Sequence, residues 1–403
     1  MLFRTANFLL ILLFQPVLLP TLSAQSEPLL RNSVASVVKK AALQEHVQTL
    51  ASEAYLGRSG KACEKTRAYL ERHFKDLGLE PAFQEGTSYS QRIFAPGTLA
   101  GTGAPRVLGR NVAAKLIGSD PKLKDEVIIL SAHFDHLGVV EGVLYPGADD
   151  NASGVSMLLE AARYFAKLPE KSRRTIYFVG FDLEEVGLIG STYFAENLPF
   201  EESKLKLFIT ADMIGRNAAG LSRNSLFVCG SEYARPLRTT LRDSAEAQSL
   251  TISYAGADLI GPRSDFAPFW QREIPFLFFC NGLHPDYHAP TDTVDRIDFE
   301  KLTRVTELII SALQTWSDED TLPDWHAPES DLEEIRTGRR VLANLLAAPH
   351  QFQLSSTQMM MVKQIDLMFA SIEEKGTFSP QERQSLIQLG TMALKMLQTF
   401  PLR

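Results

Sequence analysis

A net positive charge, a disulfide framework and any signature of a side-chain nucleophile are all missing from this chain. Its 403 residues carry 41 Lys and Arg against 48 Asp and Glu, a formal net charge of -7. That balance provides no basic footprint for phosphate backbones or anionic lipid, which argues against nucleic acid and against stable membrane association as partners. A small-molecule or peptide ligand fits better. Three cysteines, Cys63, Cys229 and Cys280, are an odd number and form no disulfide framework. Each lies in an apolar or helical context, where a buried thiol is the ordinary state. There is no G-x-S-x-G elbow and no convincing Cys and His pairing, so covalent catalysis by Ser or Cys is not indicated. Disorder is not indicated either, because 45% hydrophobic residues are ample for a core.

Residues 1–24 hold one cation, Arg4, then the apolar run FLLILLFQPVLLP, then small residues at Ser23 and Ala24. This layout predicts a secretory signal peptide cleaved near Ala24 or Gln25, and hence a periplasmic or secreted protein. An uncleaved anchor is the alternative; Pro16 and Pro20 interrupt a run already short for a spanning helix. No Cys lies near the cleavage region to accept a lipid.

The spacing predicts helices over 33–52 and 60–77, the second ending at Gly78, a residue suited to a left-handed cap. From Gly109 the pattern changes to short apolar runs: NVAAKLIG, EVIILSAHF, RTIYFVGFD, KLKLFITADMI, NSLFVCG and IPFLFFC. Their continuous apolarity suits strands buried on both faces. Helical patterns lie between them, notably Val155, Leu158, Leu159, Ala162 and Phe165. The predicted fold is a three-layer α/β/α sandwich around a mixed, mostly parallel sheet, with a C-terminal helical extension.

Ligands in such sheets bind beyond the carboxyl ends of the strands. Those ends carry His133, the pair Glu184 and Glu185, and Asp212, with Asp150 in the loop after His133 and His288 after the last strand. Each has an ordinary alternative. Asp150 precedes a helix and reads as an N-cap, Asp149 as a cap or solvated acid, and His133 or His136 as a hydrogen-bonded structural histidine. Asp212 ends an apolar run, where an unpaired charge would be costly. Together they supply five metal-type ligands from separate segments to one rim.

The segments HFD (133–135), GADDNASG (147–154), EEVGLIGS (184–191), ADMIGR (211–216) and HPDYHAPTDT (284–293) resemble, in order, the motifs of the M28 family of zinc-dependent peptidases. The resemblance runs from about residue 45 to 316. It implies two Zn2+ ions per chain, with Asp150 shared between them, Glu185 and His288 completing one site, and His133 and Asp212 the other. It also implies that Asp135 hydrogen-bonds His133, that the Asp150–Asn151 peptide is cis, and that Glu184 is the general base. Tyr287 resembles a family tyrosine that hydrogen-bonds the developing oxyanion; the alternative is an ordinary aromatic wall. In GPRSDFAPFW (261–270), Ser264 or Asp265 reads as an N-cap and Phe266, Phe269 and Trp270 as core or pocket wall.

The implied activity is an aminopeptidase acting on peptides. Two alternatives remain: a glutaminyl cyclase-like acyltransferase, which shares the fold and works with one zinc, and a catalytically silent binding module. The domain reading is 1–24 signal peptide, 25–316 peptidase domain, 317–330 acidic, Pro-containing linker and 331–403 helical extension, with no room for an inserted protease-associated domain. In the extension, Met361, Ile365, Met368 and Ile372 make one apolar stripe, and Ser379, Pro380 and Glu382 predict a capping box opening a last helix. A hairpin packed on the catalytic domain is expected there, with a dimer contact or lid as the alternative. His326 and His350 read as surface residues.

Overall fold

A computed structural model describes residues 38–95, 106–217, 223–328, 330–347 and 354–398. The leader, the first residues of the helix expected over 33–52, and His350 lie outside the described residues. The described residues open with helices α1 (Lys40–Leu50) and α2 (Cys63–Asp76), the latter preceded by a 3-10 turn over Gly60–Ala62. Gly78 adopts φ +71° just beyond α2, as a left-handed cap requires.

Strands β1 (Glu80–Pro81), β2 (Ser90–Phe94), β3 (Val107–Leu116) and β4 (Val127–His133) follow, then a small hairpin of β5 (Gly138–Val140) and β6 (Val143–Tyr145). Helix α3 (Gly154–Ala166), β7 (Thr175–Phe181), α4 (Ile189–Glu196) and β8 (Leu205–Ala211) come next. The second half holds β9 (Ser225–Cys229), α5 (Leu237–Ala247), β10 (Thr251–Tyr254), the short helices α6 (Ala257–Ile260) and α7 (Ala267–Trp270), β11 (Phe276–Cys280) and α8 (Phe299–Asp318).

All strands but β5 and β6 join one sheet, in the order β1-β3-β7-β4-β8-β11-β9-β10, with β2 also pairing β3. Its centre, β7-β4-β8-β11, is wholly parallel, whereas β3 joins β7 and β9 joins β11 antiparallel. The predicted α/β/α sandwich with a mixed sheet is therefore the observed fold. Every residue of β4 and β7 is buried, the condition read from their unbroken apolarity. Successive residues feed opposite layers: Ile128 and Leu130 of β4 join the core under α1, α3 and α8, while Val127 and Ile129 join the core with Phe194, Phe266 and Phe269. The strands missed were β1, β2, β10 and the hairpin, all short or polar.

Ser264 and Asp265 do not cap α7, whose N-cap residue is Phe266 with no side-chain cap bond. Phe266 and Phe269 are fully buried core residues stacked on Phe276 and Phe208 respectively. Beyond α8, residues 319–328 and 330–331 form no regular structure, although Trp325 stacks on Tyr233 with ring centroids 4.0 Å apart.

The C-terminal part is three helices rather than a hairpin: α9 (Leu332–Ala347), α10 (Ser356–Lys375) and α11 (Pro380–Gln398). The stripe on α10 buries Ile365 and Ile372 together with Val362, against Leu342 and Leu345 of α9 and Leu386 of α11. The capping box before α11 is present: Glu382 N donates to Ser379 Oγ at 3.2 Å and Ser379 N to Glu382 Oε2 at 2.6 Å. Among the described residues no helix is long and apolar enough to cross a membrane.

Candidate metal centre

Because β4, β7, β8 and β11 run parallel, their carboxyl ends share one edge. His133 is the last residue of β4, Asp212 follows β8 directly, Glu184 and Glu185 follow β7, and His288 lies in the loop after β11. Asp150 lies in a single wide, π-type helical turn, Ala148–Ser153, that leads into α3, and the Asp150–Asn151 peptide is cis. The turn starts at Gly147, φ +61°, where a Cβ would lie 2.2 Å from Asp150 O. Only glycine fits that approach. Leu183, Met213 and His288 also have left-handed φ of +60°, +59° and +52°. Each is, or adjoins, a candidate ligand or the candidate base Glu184, and functional sites are where rare backbone conformations concentrate.

These segments bring donor atoms together. Donors of His133, Asp150 and Asp212 lie within 4.8 Å of one another, as do those of His136, Asp150 and Glu185. His133 Nε2 is 3.3 Å from Asp150 Oδ1 and 3.3 Å from Asp212 Oδ1. His288 Nε2 is 3.2 Å from Asp150 Oδ2 and 3.0 Å from Glu185 Oε2. One imidazole nitrogen offers a single proton or a single lone pair, so it cannot hydrogen-bond two carboxylates at once. A shared cation can satisfy all three. Two ligands each about 2.0–2.1 Å from a tetrahedral zinc stand roughly 3.3 Å apart, which matches these four separations. The donor set fits zinc, with His133, Asp212 and Asp150 Oδ1 forming one group of donors and His288, Glu185 and Asp150 Oδ2 a second.

His136, read from sequence as structural, is buried, with Nδ1 2.7 Å from Glu185 Oε1 and 3.8 Å from Asp150 Oδ2. The shorter distance is that of a hydrogen bond and too close for two ligands of one tetrahedral ion. His136 therefore orients Glu185, leaving His288 the better-placed donor of the two.

Asp135 holds two loops at once. His133 Nδ1 lies 3.2 Å from the Asp135 carbonyl oxygen but 3.7 Å from its carboxylate, so the hydrogen bond expected from the side chain is made by the backbone instead. Either way Nδ1 carries the proton and Nε2 is free to ligate. The Asp135 carboxylate accepts from Glu184 N at 3.1 Å and Glu185 N at 3.3 Å. Asp212 receives Ser264 Oγ at 3.0 Å, giving Ser264 a role that its reading as a cap missed.

Asp149 is neither cap nor solvated: it is fully buried, Oδ1 accepting from Gly215 N at 2.6 Å and Oδ2 lying 3.2 Å from His284 Nε2. Asp292 accepts the backbone N–H of Asp149 and of Asp150, each at 3.0 Å. Arg58, which the sequence did not single out, is completely buried and donates five hydrogen bonds, to the carbonyls of Phe134, Leu50, Pro146, Gly147 and Asp150, at 2.7–3.0 Å. It ties the His133 loop to the Asp150 turn.

The charges are strongly perturbed. Burial alone would raise the Asp150 carboxyl, but His136, His133 and His288 hold it well below the usual range. Burial works to lower His133, yet Glu184 and Asp212 hold it well above 6.5, and hydrogen bonds to Asp150 and Glu185 push His288 up to about 10 against its burial. Burial pushes Glu184 well up, with Asp212 and Asp265 adding to the effect and His133 opposing it. Among the described residues, the ion-pair partners of Asp150, Asp212 and Glu185 are histidines only, and Glu184 has none. Tyr287 stacks on His288, centroids 3.9 Å apart, and burial raises its phenol so that it stays protonated.

A family model described as Peptidase family M28 matches residues 111–313. Aminopeptidase YwaD of Bacillus subtilis (strain 168) is 30% identical over 198 residues, covering 47% of this chain and 40% of that protein. The chain thus spans about two fifths of the length of that curated relative. Among solved structures, the aminopeptidase from Aneurinibacillus sp. strain AM-1 has a TM-score of 0.56 at 21% identity, covering 73% of this chain and 98% of that one. Porphyromonas gingivalis glutaminyl cyclase has a TM-score of 0.54 at 20% identity, covering 70% and 99%. Both likenesses establish the fold, on which either activity can be built.

Proposed function

The chain belongs to peptidase family M28, and from that premise we propose that it is an exported di-zinc aminopeptidase removing N-terminal residues from peptides. The observation that carries this reading is the donor spacing: two imidazole nitrogens each stand 3.0–3.3 Å from two carboxylate oxygens, with Asp150 common to both sets. His133, Asp212 and Asp150 would hold one ion, and Glu185, His288 and Asp150 the other. Bound there, zinc supplies Lewis acidity, which polarises a carbonyl and lowers the pKa of water.

The remaining steps belong to the protein. Glu184, free of any ion pair among the described residues, takes the proton from the attacking water and returns it to the leaving amine. Its backbone N–H is anchored on Asp135, which fixes the carboxylate relative to His133. Tyr287, held by its stack on His288, donates its hydroxyl to the oxygen on which negative charge develops. Export rests on the leader pattern of residues 1–24, and the same reading divides the chain into a peptidase domain (25–316), a linker (317–330) and an extension (331–403). Glutaminyl cyclisation would need one ion, whereas the paired spacings about Asp150 favour two.

The test is turnover of a panel of aminoacyl anilides and of a peptide with N-terminal Gln, with and without chelator. Chelator-sensitive release of aniline without ammonia is expected. Ammonia release from the Gln peptide without anilide turnover would overturn the reading in favour of the cyclase.

A further inference from the structure

A cavity of about 280 Å³ opens from the donor cluster and continues under the C-terminal helices. Asp150, Glu184, Asp212, Tyr287 and His288 line it from the sheet ends. The rest of its wall is mainly apolar, and much of it comes from beyond the family match: Ile335, Val341 and Leu342 of α9, Ile365 and Phe369 of α10, and Leu386 of α11.

These helices are fixed against the sheet domain. Arg238 makes a bidentate pair with Asp331 just before α9, Nη1 to Oδ1 at 3.0 Å. Arg383 of α11 reaches Asp258 of α6 through Nε at 2.8 Å and Glu334 of α9 through Nη1 at 2.6 Å. Gly390 lets α11 lie directly on α6, since a Cβ there would come 2.2 Å from Leu259 Cδ1. Two arginine clamps and the close approach of α11 to α6 thus fix this wall of the cavity to the sheet domain.

We propose that α9–α11 turn the catalytic cavity into a deep apolar pocket that selects amide substrates bearing a long apolar group next to the scissile bond, a selectivity that rests on the hydrolase reading above. A cavity of about 150 Å³ lined by aliphatic and aromatic side chains holds a benzene. The present one is nearly twice as large, so beside the reacting amide at the donor cluster it has room for an apolar group longer than an aliphatic amino-acid side chain. The cluster is continuous with this space, so a group seated there would present its amide to Glu184.

The experiment uses the zinc-loaded protein and nitroanilides of straight-chain 2-amino acids, from alanine to 2-aminododecanoic acid. Transfer of each methylene into the pocket predicts kcat/KM rising roughly three- to fourfold per carbon well past leucine length. Val341→Trp, which fills the α9 wall, should move the maximum to shorter chains. A maximum at leucine length, or no dependence on chain length, overturns the proposal, and this needs no variant to fold. In parallel, calorimetric titration of the same protein with 1-decanol and 1-butanol reads the pocket without turnover. Tighter binding of decanol with no anilide cleaved would keep the pocket and reject the hydrolase. Cleavage with no preference for decanol would keep the hydrolase and reject the pocket.

Discussion

At the sheet ends, side chains are held by directional bonds between buried polar groups: Arg58 to five carbonyls, Asp292 to two backbone N–H groups, Asp135 to two more. The α9–α11 wall of the same cavity is held by apolar packing and by arginine clamps at its margins. Such bonds fix positions to a fraction of an ångström, which metal ligation and proton transfer require. Apolar packing fixes volume and tolerates substitution of similar size. The proposed function thus places the chemistry in the first region and the choice of substrate in the second, and substitutions should separate the two.

The largest effect is expected from Glu184→Gln, which should lower kcat by about 10²–10⁴-fold while zinc content and melting temperature stay unchanged. Turnover surviving in the zinc-loaded variant would remove Glu184 from the mechanism. Next comes Arg58→Met, which leaves five carbonyls without their donor and should cost about 3–5 kcal/mol in urea unfolding, with weaker zinc binding. A loss within about 0.5 kcal/mol would mean that the turn and the His133 loop hold themselves.

Arg383→Met probes the other region. Freeing Asp258 and Glu334 should cost about 1–2 kcal/mol, speed hydrogen exchange in α11 and flatten the chain-length profile while leaving zinc stoichiometry at its original value. Zinc loss in that variant would break the separation between the regions. The smallest effect is the pH dependence of the Arg238–Asp331 clamp. Burial tends to raise the Asp331 carboxyl, but the hydrogen bond and charge of Arg238 outweigh it and hold it below 3.8. A depressed folded pKa gives stability that is present above the unfolded value and lost as pH falls through the folded one. The melting-temperature difference between wild type and Asp331→Asn, worth about 1 kcal/mol, should thus be constant from pH 5 to 8 and shrink below about pH 4. A difference that grows on acidification would contradict it.

His133, Asp150, Glu184, Glu185, Asp212 and His288 were legible because ligand-type residues fall at the ends of apolar strands, and parallel strands bring those ends to one edge. Arg58 was not. Its partners are backbone carbonyls from three separate segments, at Leu50, Phe134 and 146–150, and no periodicity or motif marks a carbonyl. Asp149, His284 and Asp292 escaped for a related reason, since a polar residue in a loop looks the same whether it is solvated or buried against another loop. His136 directly follows the HFD motif, but only its 2.7 Å approach to Glu185 separates orienting from ligating. In the extension, the stripe through Ile365 and Ile372 indicated a buried face. What that face meets depends on where Arg238, Arg383 and Gly390 dock the helices, and this is tertiary information.

The central claim, two ions sharing Asp150, is tested most directly by zinc analysis of the purified wild type and of Asp150→Asn and His136→Gln. The account predicts two equivalents of zinc in the wild type, less than one in Asp150→Asn, and two more weakly held equivalents in His136→Gln. One equivalent in the wild type, or two retained by Asp150→Asn, would contradict it.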